Sequence, residues 1–96
     1  MNTNTAMWKW RNGSQKDNIW RLQTEDPKLI RKLQRRNSAH LAAWAINSNL
    51  CYFHLTYNSR FKAMQGLRRL TGQEVYYDAV NKVILLKIAP ILTLKK

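Results

Sequence analysis

Ala39-His40-Leu41-Ala42-Ala43-Trp44-Ala45-Ile46-Asn47-Ser48-Asn49-Leu50-Cys51-Tyr52-Phe53-His54-Leu55-Thr56-Tyr57 decides whether the middle of this chain is helix or hairpin. Its first part is rich in alanine, which favours helix by intrinsic propensity. Asn47-Ser48-Asn49 then gives a turn signal, because short polar side chains bond their own backbone. Leu50 to Tyr57 follows with aromatic and β-branched residues, which suit a pleated strand. A short apolar segment beside a turn reads as a strand, so the stretch is a hairpin. Alternation along its second arm puts Cys51, Phe53, Leu55 and Tyr57 on one face and Tyr52, His54 and Thr56 on the other. The first set is more apolar and is expected to face a helix layer. Tyr52 and His54 then lie on an open sheet surface, joined by Trp20 or Arg21 from the neighbouring strand.

Between Asn37 and Ser59 there is no Asp, Glu, Lys or Arg, and the flanks of this block are basic. Upstream, Ile19 to Thr24 reads as a strand feeding a helix. Thr24 or Asp26 can cap that helix, Glu25 and Asp26 complement its dipole, and Pro27 suits its first turn. The helix is Lys28-Leu29-Ile30-Arg31-Lys32-Leu33-Gln34-Arg35-Arg36, closed by Asn37-Ser38. At about 100° per residue, Leu29, Ile30 and Leu33 share one face, while Lys28, Arg31, Lys32, Arg35 and Arg36 spread over the other. Downstream, Asn58 or Ser59 can cap a second helix, with Arg60, Lys62, Arg68 and Arg69 set around Met64, Leu67 and Leu70. Gly66 weakens this helix or allows a close approach, and Gly72 suits a left-handed C-terminal residue. Val75–Val80 and Val83–Ile88, joined at Asn81-Lys82, read as a second hairpin that Pro90 ends.

The expected fold is α+β: a ferredoxin-like βαββαβ order with an added C-terminal strand and two basic helices on one side of an antiparallel sheet. One domain spans 1–96, with an arm or edge hairpin at 1–18, a core at 19–89 and a tail at 90–96. In the N-terminal part, Trp8 and Trp10 share a strand face opposite Lys9 and Arg11, and Asn12-Gly13 signals a tight turn. This segment is either an edge strand whose indoles cover the sheet or an arm whose indoles stack on bases.

From Ile19 to about Val80 the order of elements resembles that of the RNA-recognition motif. That family carries stacking aromatics on its two central strands, where Ile19-Trp20 and Tyr52-Phe53-His54-Leu55 stand here. Leu50-Cys51 replaces the family's basic-Gly-aromatic opening, and Arg21 stands at an apolar position. The likeness is one of topology.

The 96 residues hold 17 Lys and Arg against 5 Asp and Glu, a net charge of +12, and the pI is about 10.5. An all-cationic helix face exceeds what solubility requires, since soluble surfaces mix both signs. A polyanion relieves such self-repulsion, and nucleic acid is the commonest one. A hydrophobic content of 45% with four Trp excludes a disordered chain. The lone Cys51 excludes an internal disulfide and a cysteine-based zinc site. The start at Met1-Asn2-Thr3-Asn4-Thr5 does not resemble a signal peptide. The longest apolar run, Val83–Leu94, contains Lys87 and Pro90 and is well short of the ~20 residues of a spanning helix. A cytoplasmic protein without membrane contact is expected.

Catalysis is not expected. The acids Asp17, Glu25, Asp26, Glu74 and Asp78 form no motif. Cys51 and His54 point to opposite faces, His40 and His54 alone do not make a zinc site, and there is no phosphate-binding glycine loop. No cofactor or metal is implied. The expected function is non-catalytic binding of DNA or RNA through phosphates. Lys28, Arg31, Lys32, Arg35, Arg36, Arg60, Lys62, Arg68 and Arg69 supply the charge, with Tyr52 and His54 as stacking groups. The alternative is a protein-interaction module, an inhibitor or subunit of a nucleoprotein complex of the kind carried by mobile elements. A homodimer is also expected, through apolar surface at Ile84, Leu86, Ile88, Ile91, Leu92 and Leu94.

Overall fold

Burial in Cys51–Thr56 follows the expected alternation: Cys51, Phe53 and Leu55 are buried, and Tyr52 and His54 are half-buried. The computed structural model describes residues 4–11, 18–44 and 48–87. Its elements are β1 (Ala6–Lys9), β2 (Ile19–Thr24), α1 (Pro27–Gln34), β3 (His40–Trp44), β4 (Cys51–Thr56), α2 (Arg60–Thr71), β5 (Val75–Asp78) and β6 (Val83–Leu86). The strands form one antiparallel sheet in the order β3-β4-β2-β1-β6-β5. The fold is thus α+β, a six-stranded sheet with two helices, and is compatible with a ferredoxin-like type. The Asn12-Gly13 turn, the hairpin tip at 45–47, and Ile88, Pro90, Ile91, Leu92 and Leu94 lie outside the described residues.

Of the two alternatives for the N-terminal segment, edge strand or arm, Ala6–Lys9 is a strand, but an interior one rather than an edge. β1 pairs with β2 from Ala6 opposite Gln23 to Lys9 opposite Trp20, and with β6 on its other edge, so it lies inside the sheet. The reason is locality. β1 is the chain neighbour of β2, so this pairing closes a short loop at low entropy cost. The β5–β6 hairpin is left to add beyond it, with Ala6 opposite Leu85 and Met7 opposite Ile84. The Thr5 and Thr24 hydroxyls, both buried, meet at 2.8 Å and tie the start of β1 to the end of β2.

Both helices cover one sheet face. Leu29, Ile30 and Leu33 of α1 and Ala63, Leu67 and Leu70 of α2 share a core with Met7, Trp20, Leu22, Phe53, Leu55 and Ile84. Each buried Leu or Ile contributes roughly 1.5–3 kcal/mol by leaving water. Asp26 caps α1 by accepting from the Lys28 amide at 3.0 Å. Ser59 caps α2 by accepting from the Lys62 amide at 3.2 Å. Gly72 ends α2 in the left-handed region, φ 69°. α1 stops at Gln34, before Asn37-Ser38, so Arg35 and Arg36 follow the helix rather than ride on it.

Of the six apolar residues expected at a dimer surface, only Ile84 and Leu86 are among the described residues, and both face inward. Ile84 and Leu86 are buried against the core, while Val83 and Leu85 face the other side and are half-buried. The reason is register: opposite Met7, Ile84 shares the helix-covered face. Among the described residues no helix is long and apolar enough to cross a membrane.

Candidate nucleic-acid interface

The predicted binding residues fall on two surfaces separated by the thickness of the sheet. On the helix side, Lys28, Arg31, Lys32, Arg35, Arg36, Arg60, Lys62, Arg68 and Arg69 are all exposed. Three of them have internal work. Lys32 Nζ donates to the Leu70 carbonyl at 3.1 Å and so ties α1 to the end of α2. Arg68 pairs with Glu74 at 3.2 Å. The Arg60 guanidinium lies 4.2 Å from the centre of the Tyr77 ring. Lys28, Arg31, Arg35, Arg36, Lys62 and Arg69 make no ion pair among the described residues.

Tyr52 and His54 lie on the opposite, helix-free face, so no flat surface holds them together with the helix cations. Arg21, opposite His54 in β2, joins them. Trp20 does not: it is buried on the helix side, where its Nε1 donates to the Tyr57 carbonyl at 3.2 Å. The Arg21 guanidinium stands 4.3 Å from the Trp10 ring centre and 4.4 Å from that of Tyr52. Its Nη1 donates to His54 Nε2 at 3.3 Å. Trp10 in turn lies 5.4 Å from the His54 ring, tilted by 39°. Burial pushes the His54 pKa below its ordinary value, and Arg21 and then His40, which sits directly across from it in β3, push it the same way. A neutral imidazole accepting from Arg21 accounts for this contact. The arrangement is a guanidinium held between flat rings, with Trp8, opposite Arg21, beside it. It presents cationic and π surface in one place, the combination on which unstacked bases pack.

Cys51 is buried on the helix side, where burial raises its thiol pKa, and His54 is on the other. Among the described residues there is no group of three or more His, Cys, Asp or Glu able to hold a metal ion. Sequence reasoning offered Arg21 beside Tyr52 and His54 but missed Trp10, because only the pairing of β1 with β2 brings Trp10 over Arg21. It also missed Tyr57, whose hydroxyl reaches the Gly66 side of α2. The spacing of Lys62, Gln65, Gly66 and Arg69 was the available signal, since these positions form one helical stripe. Compared with known proteins, the chain matches no family model, no curated protein and no solved structure.

Proposed function

We propose that this small α+β domain binds nucleic acid without catalysing a reaction, with α1, its C-terminal turn and α2 on the phosphates. The observation that carries the reading is the set Lys28, Arg31, Arg35, Arg36, Lys62 and Arg69: exposed on the helix layer and without an acidic partner among the described residues. Such cations bind phosphate by releasing its condensed counterions, which makes affinity fall with salt. The sheet face offers a second contact, a stacking surface for unpaired bases. A protein in the cytoplasm, meeting DNA or RNA there, fits this reading.

Arg31→Glu with Arg35→Glu is expected to weaken oligonucleotide binding about tenfold or more and to flatten its salt dependence. Neither side chain packs in the core, so folding should persist. Lys32 is left intact because its bond to the Leu70 carbonyl holds the helices together. Fluorescence anisotropy over a salt series gives the answer, and unchanged affinity in the folded variant removes α1 from the interface.

Tyr52→Ala is expected to lose roughly 1–3 kcal/mol of single-strand binding, the worth of a base–aromatic stack. Duplex binding through the helix layer should change little. Equal losses on both substrates would show that Tyr52 acts through folding rather than stacking.

One observation favours a protein partner as a second reading. Edge strand β3 exposes Leu41 and Trp44, at 49% and 52%, in a segment without charge. Binding to a purified acidic protein with no nucleic acid present would support that reading.

A further inference from the structure

Where α1 gives way to its C-terminal turn, Arg36 comes up against α2. A pocket of about 260 Å³ opens there, lined by Arg36, Tyr57, Lys62, Gln65, Gly66 and Arg69. Its walls come from separate parts of the chain, so it is a product of folding and not of a local charge run. Lys62, Gln65, Gly66 and Arg69 follow one another at helical spacing, which turns all four to the same side. Gly66 is the reason the pocket exists in this form. A Cβ at that position would collide with the edge of the Tyr57 ring, so only glycine lets the ring lie against the helix. The phenol hydroxyl is thereby carried to the cationic rim.

No carboxylate lines the pocket, and none of Arg36, Lys62 and Arg69 has an ion-pair partner among the described residues. Arg36 and Arg69 line the pocket together with Tyr57; burial raises the Tyr57 pKa, while Arg36 and then Arg69 draw it back down. The phenol stays protonated at neutral pH and is available as a donor. The pocket thus offers ammonium, guanidinium, phenol and amide donors, and no acceptor charge to balance them.

We infer that this pocket is a phosphomonoester site, which on the proposed reading takes the terminal phosphate of a nucleic-acid strand. Charge selects the ligand. An internal phosphodiester brings a single negative charge, whereas a phosphomonoester carries about −1.5 to −2 at neutral pH and exposes three acceptor oxygens. Three cations and a phenol match the second better. The two guanidiniums provide planar forks, Lys62 a point charge, and charge-assisted bonds of this kind are roughly twice as strong as neutral ones.

The test compares oligonucleotides carrying a 5′-phosphate, a 3′-phosphate or neither, at one salt concentration. The protein is expected to prefer one phosphorylated end about tenfold. Arg69→Gln and Tyr57→Phe should each reduce that preference, and Lys87→Gln, which removes one charge away from the pocket, should leave it in place. Tyr57→Phe retains the ring on Gly66, so its effect reads the hydroxyl and not the packing. Where oligonucleotide binds, no preference for either end, or a preference that survives both variants, overturns the assignment. Inorganic phosphate separates this outcome from failure of the wider reading. Phosphate that raises the melting temperature above chloride of equal ionic strength, in wild type but not in Arg69→Gln, supports the pocket even if no oligonucleotide binds. Oligonucleotide binding that responds to Arg31→Glu with Arg35→Glu, but with no end preference, keeps the reading and removes the pocket.

Discussion

Replacing Phe53 by alanine is expected to cost about 3–5 kcal/mol of folding stability, the usual penalty for emptying a buried aromatic site. Phe53 is 1% exposed and is among the largest fully buried side chains. It lies in β4 between Leu22 of β2 and Leu41 of β3. Typical domains are stable by only about 5–15 kcal/mol, so this single change brings the protein close to its limit. Urea denaturation measures it: the midpoint should fall with little change of slope. Tyr52→Ala, one residue away but on the open face, should cost much less. If the two variants proved equally unstable, the in–out register of β4 would be wrong, because a one-residue slip exchanges the faces of a strand.

Gly66→Ala is expected to destabilise by about 1–3 kcal/mol, although alanine is the better helix former. Intrinsic propensity alone favours the substitution by about 1 kcal/mol. The new methyl group would meet the Tyr57 ring, which must then swing out or push α2 away from the sheet. The cause can be isolated in a double-mutant cycle. With Tyr57→Ala already present, Gly66→Ala should become neutral or stabilising, and the departure from additivity measures the clash. A higher melting temperature for Gly66→Ala alone would mean that Tyr57 does not rest on α2.

Local signals carried much of the fold. Asp26 and Ser59 at helix starts and Gly72 at a helix end each have a chemical reason that acts within a few residues, and each holds that position. The alternation from Cys51 to Leu55 was legible for the same reason, and it placed Tyr52 and His54 on the helix-free face. Sheet order was not legible. Nothing within Ala6–Lys9 says that it will pair on both edges, and that depends on β6 arriving from far along the chain. The same gap misled the reading of Ile84 and Leu86, which look like surplus apolar surface until β1 sets their register. The candidate site divides in the same way. The cations of α1 could be read from a helical wheel, whereas Arg36 beside Lys62 and Arg69 requires the two helices to be packed.

The central place of β1 also bears on the order in which the sheet is expected to form. β2 and β6 are not neighbours in the sheet, so the strands on either side are joined only through a four-residue segment. On one side, β2, α1, β3 and β4 follow one another directly, and their pairings span far less of the chain. On the other, the β1–β6 ladder unites Ala6 with Leu85 and Met7 with Ile84, the longest loop closure in the sheet and a short register. Loop entropy opposes that closure most, and slow folding follows from such distant pairing. The ladder is therefore expected to act as a seam: the last part of the sheet to zip, and the first along which native-state opening would release amide protons to solvent.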